Sequence, residues 1–86
     1  ACMLSCGDNT VMEILCGDDD GTPKTGNFHH VAFRVDSVDD FMVEIRKLGC
    51  EVTIEPKSLN ITPTYPVRIA FFIGPVGETI ELFQEL

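Results

Sequence analysis

The sequence predicts an α+β fold in which a single helix is set among six strands. Three observations carry this. Only residues 38–48 of the 86 repeat their apolar side chains at helical spacing, while the other apolar runs are short and strand-like. Clusters of glycine, proline, aspartate and asparagine bound those runs, as hairpin turns require. The first and last hairpins are also alike. GDNTVMEIL (7–15) and PVGETIELF (75–83) each place threonine, then apolar residues, then a glutamate on the closing strand, the pattern of an internal duplication.

In chain order, residues 1–6 (ACMLSC) and 10–16 (TVMEILC) read as two strands joined by the turn residues Gly7, Asp8 and Asn9. Residues 17–27 (GDDDGTPKTGN) read as a polar linker. Its aspartates 18 to 20 lack the later ligands of a calcium loop, including the closing glutamate. Residues 29–35 (HHVAFRV) read as a strand. Ser37 and Asp40 then have the spacing of a capping box, with Asp in place of the usual Glu. Val38, Phe41, Ile45 and Leu48 make the expected apolar stripe of the helix. Asp39 and Asp40 sit in its first turn and Arg46 and Lys47 in its last, as the macrodipole favours, and Gly49 stops it. Residues 51–55 (EVTIE) alternate as a strand expected to end at Pro56. Residues 56–66 (PKSLNITPTYP) hold three prolines and read as a stiff exposed loop, long enough to cover a site. Strands over 67–73 and 79–84 close a second hairpin around Gly74, Pro75, Val76, Gly77 and Glu78.

Composition narrows the function classes. The chain is 44% hydrophobic and 23% charged, with a net charge of −8, so nucleic acid and anionic membrane would repel it. Its apolar runs are too short to span a bilayer. A domain of this size buries too little surface to be more than marginally stable alone, which points to a metal, a disulfide or a second chain as support. The four cysteines form no CxxC pair; reduced, mostly buried thiols in a cytoplasmic protein are expected.

Strand alternation gathers the chemistry. On the last strand Ile80 and Leu82 share one face, and Thr79, Glu81 and Phe83 the other. Val31, Phe33 and Val35 form the bulky face expected to pack on the helix, leaving His30, Ala32 and Arg34 opposite. On the first hairpin Glu13 shares a face with Val11 and Leu15. If each sheet packs its helix on one side, Glu13, His30 and Glu81 can all point to the other. A single histidine or glutamate there would be ordinary surface polarity; three form a carboxylate–imidazole–carboxylate set. His29 is expected at the strand's fraying end, without a role.

The motifs HHVAFRVDSVDD (29–40) and RIAFFIGPVGETIELFQ (68–84) resemble the vicinal oxygen chelate superfamily. That superfamily includes lactoylglutathione lyase (glyoxalase), methylmalonyl-CoA epimerase, extradiol dioxygenases and bleomycin-resistance proteins. The resemblance implies one complete βαβββ module over residues 28–86. Residues 1–27 would hold the C-terminal hairpin of a partial first module and a linker. It implies that Glu13, His30 and Glu81 bind a divalent metal (zinc, nickel, iron, cobalt or manganese). The fourth ligand would lie on the missing first strand of the first module, or come from a second copy in a homodimer. The implied activity is that of a lyase or isomerase acting on a small carbonyl or thioester substrate through an enediolate. Glu81 would be the catalytic base, with Glu13 serving the opposite stereochemical face, and Arg34 and Phe72 are candidate substrate contacts. The alternatives are a non-catalytic small-molecule (antibiotic) binding protein on the same fold, or an inactive fragment.

Overall fold

A computed structural model describes residues 2–14 and 28–86. Ala1, Leu15, Cys16 and the expected linker lie outside the described residues. Strands β1 (Cys2–Ser5) and β2 (Val11–Ile14) pair antiparallel as a two-stranded sheet. Gly7 accepts from the Thr10 N–H at 2.8 Å across a tight turn, with Asp8 and Asn9 at φ 50° and 63°. Positive φ at both central positions is what a type I′ hairpin demands, and Asp and Asn tolerate it better than other side chains.

The second sheet has four strands in the order β3-β6-β5-β4: β3 (Val31–Arg34), β4 (Val52–Asn60), β5 (Pro66–Ile73) and β6 (Thr79–Glu85). Helix α1 (Val38–Lys47) connects β3 to β4. The first and last strands of this unit, β3 and β6, lie side by side and parallel, while β4–β5 and β5–β6 are antiparallel. Among the described residues the architecture is a small α+β fold with one helix and two sheets. No helix among the described residues is long and apolar enough to cross a membrane.

The helix begins as expected, with Ser37 Oγ accepting from the Asp40 N–H at 3.2 Å, and it stops at Gly49, whose φ is 77°. Its buried stripe differs from the expected one. Val38, Met42 and Ile45 pack on Ala70, Phe72 and Leu82, with Val35, Cys50, Val52 and Ile80 at the margin. Phe41 is 48% exposed and Leu48 76%. The two stripes are roughly 45° apart around the axis, half a step at about 100° per residue. Ties between α1 and the sheet choose between them. Gln84 Oε1 accepts from the Val38 N–H at 2.9 Å, filling one of the helix's orphan donors from β6. Arg68 on β5 holds both Asp39 carboxylate oxygens at 2.9 Å and reaches Ser58 on β4 at 3.1 Å.

Three other expectations are corrected. Residues 56–60 are not loop: β4 continues through Pro56 to Asn60, with register shifts against β5 on either side of Ile54. A proline is admissible because β4 is an edge strand whose pairing is already irregular there. Val31 and Phe33, expected to pack under the helix, are 47% and 54% exposed; only Val35 of that set reaches the core margin. The described thiols are not mostly buried: Cys2 and Cys6 are exposed on a hairpin whose described residues are all exposed, and Cys50 is half-buried, all three free among the described residues.

Candidate functional site

The sheet face opposite α1 carries the only buried charged side chain among the described residues, Glu81, which is 9% exposed. A carboxylate is seldom so enclosed without a partner. Its partner is His30, whose Nε2 lies 2.8 Å from Glu81 Oε1. The topology explains the meeting. His30 immediately precedes β3, Glu81 is the third residue of β6, and the parallel pairing sets Ala32 beside Glu81. Residues at opposite ends of the unit, 51 apart in sequence, so become neighbours. Ala32 leaves room for the imidazole to lean over β6.

Phe71 on β5 pairs directly with Glu81 and meets the His30 ring edge-on, with centroids 4.9 Å apart. By alternation Val67, Ile69 and Phe71 share this face. Val67 and Ile69 are buried yet lie outside the cluster under the helix, so the site has an apolar floor of its own. Burial is the main reason the Glu81 carboxyl binds its proton more tightly than an ordinary glutamate. The His30 hydrogen bond and charge oppose that rise, and the Glu13 charge adds to it. Among the described residues, no three carboxylate, imidazole or thiol groups are gathered tightly enough to hold a metal ion.

Farther along β6, Arg34 Nη1 donates to Glu85 Oε1 at 3.0 Å, and the Tyr65 hydroxyl donates to Glu85 Oε2 at 2.8 Å. These two bonds, the tyrosine's first, hold the Glu85 carboxyl below its ordinary range. Burial, then the bond to Glu85, pushes the Tyr65 phenol up. Arg34 is therefore on the expected face, with one side of its guanidinium engaged by Glu85.

Of the residues picked from the sequence, His30 and Glu81 are brought together, whereas Glu13 is on β2, which among the described elements packs against β1 alone, and reaches Glu81 only as a distant charge. Phe72 is a correction. It is 6% exposed in the core under α1, and Phe71 holds the place expected of it. The signal was available: across the Gly74–Glu78 turn, direct hairpin partners sum to a constant, and 71 is opposite 81. His29, expected at the strand end with no role, is exposed there, with its Nδ1 2.7 Å from His30 Nδ1. Tyr65 and Glu85 had no signal in the sequence, because their meeting depends on a turn and a strand end coming together. No protein-family model, curated protein or solved structure matches the chain.

Proposed function

We propose that this chain carries the site of a glyoxalase-like vicinal oxygen chelate protein, a divalent-metal-dependent lyase or isomerase acting on a small carbonyl or thioester substrate. One observation carries the reading: a buried glutamate hydrogen-bonded to a histidine at 2.8 Å on the open face of the sheet. These are two of the positions that the resemblance assigns to ligands. The strand order supports it, because only parallel pairing of the first and last strands of the unit sets those positions side by side.

The donor set suits such a cation. Imidazole nitrogen and carboxylate oxygen are the ligand types that divalent ions of this class take, and His30 and Glu81 would be the residues that hold it. The resemblance would make Glu13 the third ligand, and a second copy of the chain would supply a fourth. The bound ion would stabilise negative charge developing on the substrate's carbonyl oxygen. The chain's own residues do the rest. Glu81 Oε takes the proton from the carbon beside the carbonyl, and the C–H electron pair moves toward oxygen to give the enediolate. On a substrate whose proton-losing carbon bears a hydroxyl, Glu81 then returns the proton to the former carbonyl carbon. The hydroxyl proton passes to the former carbonyl oxygen, so that carbonyl and alcohol exchange places. A carboxyl whose proton affinity is raised by burial is better matched to this exchange near neutral pH than an exposed one. The floor of Val67, Ile69 and Phe71 keeps water from competing for the proton.

A second reading, a non-catalytic small-molecule binding protein, is favoured by the same apolar floor and by the lack of a gathered three-group cluster among the described residues. Metal analysis of the purified chain separates the two. The enzyme reading expects stoichiometric divalent metal, lost in Glu81→Gln together with proton exchange on the substrate. A metal-free protein whose small-molecule binding is unchanged in Glu81→Gln sinks that reading.

A further inference from the structure

We infer that His29 is a positioning residue that sets the ring orientation and tautomer of His30; the inference deepens the site proposed above and rests on that reading of His30 and Glu81. Regular strand structure begins only at Val31, so alternation does not hold His29 to the opposite face, and its ring turns toward that of His30. The two Nδ1 atoms lie 2.7 Å apart and the rings meet edge-on with centroids 4.9 Å apart. On its other side, His30 Nε2 reaches Glu81. Both ring nitrogens of His30 are thus in hydrogen bonds.

A neutral imidazole has one N–H and one lone pair, so the two bonds are coupled. An ionised Glu81 can only accept. His30 Nε2 then carries the proton, its Nδ1 is bare, and His29 Nδ1–H is the donor. When the His30 Nε2 lone pair is instead given to a cation, the proton sits on His30 Nδ1 and His29 Nδ1 becomes the acceptor. A backbone carbonyl at the place of His29 would serve only the second state, and an ammonium only the first. An imidazole serves both by exchanging its own tautomer. His29 is exposed, so its Nε2 can make the compensating proton exchange with solvent. Phe71, edge-on against His30, confines the ring laterally but offers no hydrogen bond, leaving His29 to fix which nitrogen faces Glu81.

The test is ¹⁵N NMR of the His30 ring nitrogens in the 86-residue chain without added metal, in wild type, His29→Phe and His29→Asn. Expected is one tautomer in the wild type. In His29→Phe, which keeps a ring but no hydrogen-bonding atom, the resonances should be exchange-averaged or doubled. Rescue is expected in His29→Asn, whose amide can donate or accept. Unchanged His30 resonances in His29→Phe would overturn the inference. Zinc titration of the same proteins judges the site itself: outer-shell partners are worth about 10- to 100-fold in metal affinity, so His29→Phe should weaken zinc binding by that factor and His29→Asn recover it. A wild type that binds no zinc while its His30 tautomer still responds to His29→Phe defeats the metal reading and upholds the positioning role. Equal zinc affinity in wild type and His29→Phe overturns the positioning role and leaves the metal reading standing.

Discussion

Replacing Met42 by alanine tests whether the helix faces the sheet as described. Met42 is fully buried, at the centre of the stripe from Val38 to Ile45. The substitution removes three heavy atoms from the core. At about 0.8 kcal/mol per buried methylene-sized group, the transfer cost alone is roughly 2.4 kcal/mol. The cavity left beneath α1 adds to it, within the range of about 2–5 kcal/mol seen for buried methionine-to-alanine changes. Phe41, one position earlier, is the larger residue and the one helical spacing selected, but it is about half exposed. Burying a whole phenylalanine is worth up to about 3 kcal/mol, so half-burial puts Phe41→Ala at about 1–1.5 kcal/mol. Urea unfolding followed by far-UV circular dichroism reads both. With a slope of about 1 kcal/mol per molar for a small domain, the Met42→Ala midpoint should fall by 2 M or more, and the Phe41→Ala midpoint by roughly half that. A domain of this size holds only about 4–13 kcal/mol in total, so Met42→Leu, which conserves volume, is the control that should stay folded. Equal losses at the two positions, or a larger loss for Phe41→Ala, would refute the described rotation of α1.

Three further outcomes follow from particular contacts. Glu81 has its proton affinity raised in the folded state, so its contribution to stability is greatest below the unfolded carboxyl's pKa and falls as pH rises through the folded value. Urea midpoints measured from pH 4 to 8 should show that decline in the wild type and lose it in Glu81→Gln; a parallel pH profile in the variant would contradict the burial of Glu81. Gln84→Leu should cost about 1 kcal/mol by removing the acceptor for the Val38 N–H, visible as faster amide exchange at Val38; unchanged exchange there would show that the helix start does not depend on β6. Asn9 sits at φ 63°. Asn9→Ala should cost about 1–2 kcal/mol and Asn9→Gly almost nothing, both read from hairpin cross-strand NMR contacts, and equal effects would mean the turn is not left-handed at Asn9.

Most of the element boundaries were legible because they are set by local chemistry. The Ser37 cap, the glycine stop at Gly49 and the turn at Gly7, Asp8 and Asn9 involve residues within a few positions of one another, and each stands where its residue type requires. The pairing of His30 with Glu81 was legible for a different reason. Alternation along two strands is a property of the backbone, and it assigned both residues to one face before any partner was known. Phe72 shows the limit of that argument: assigning a face needs a reference strand, and counting along β5 without counting across the turn chose the wrong neighbour. Pro56 misled in another way. It forbids a central strand but not an irregular edge strand, and position in the sheet is invisible in a local stretch of sequence.

By itself, then, the sequence determined helix α1 and its ends, the two hairpins, the strand periodicity, and the face on which His30 and Glu81 lie, because each of these follows from bonds or sterics spanning a few residues. Tertiary structure alone decided which side of α1 is buried, how far β4 runs, and which groups share the site. The helix is turned by ties from Gln84 and Arg68, residues far along the chain. Its half-step of rotation exchanges Phe41 for Met42, a difference that helical periodicity cannot resolve when apolar side chains occupy adjacent positions. The enclosure of Glu81 arises from three strands and the His30 ring meeting over it, and burial of that kind is a sum over neighbours that no short stretch of the chain contains.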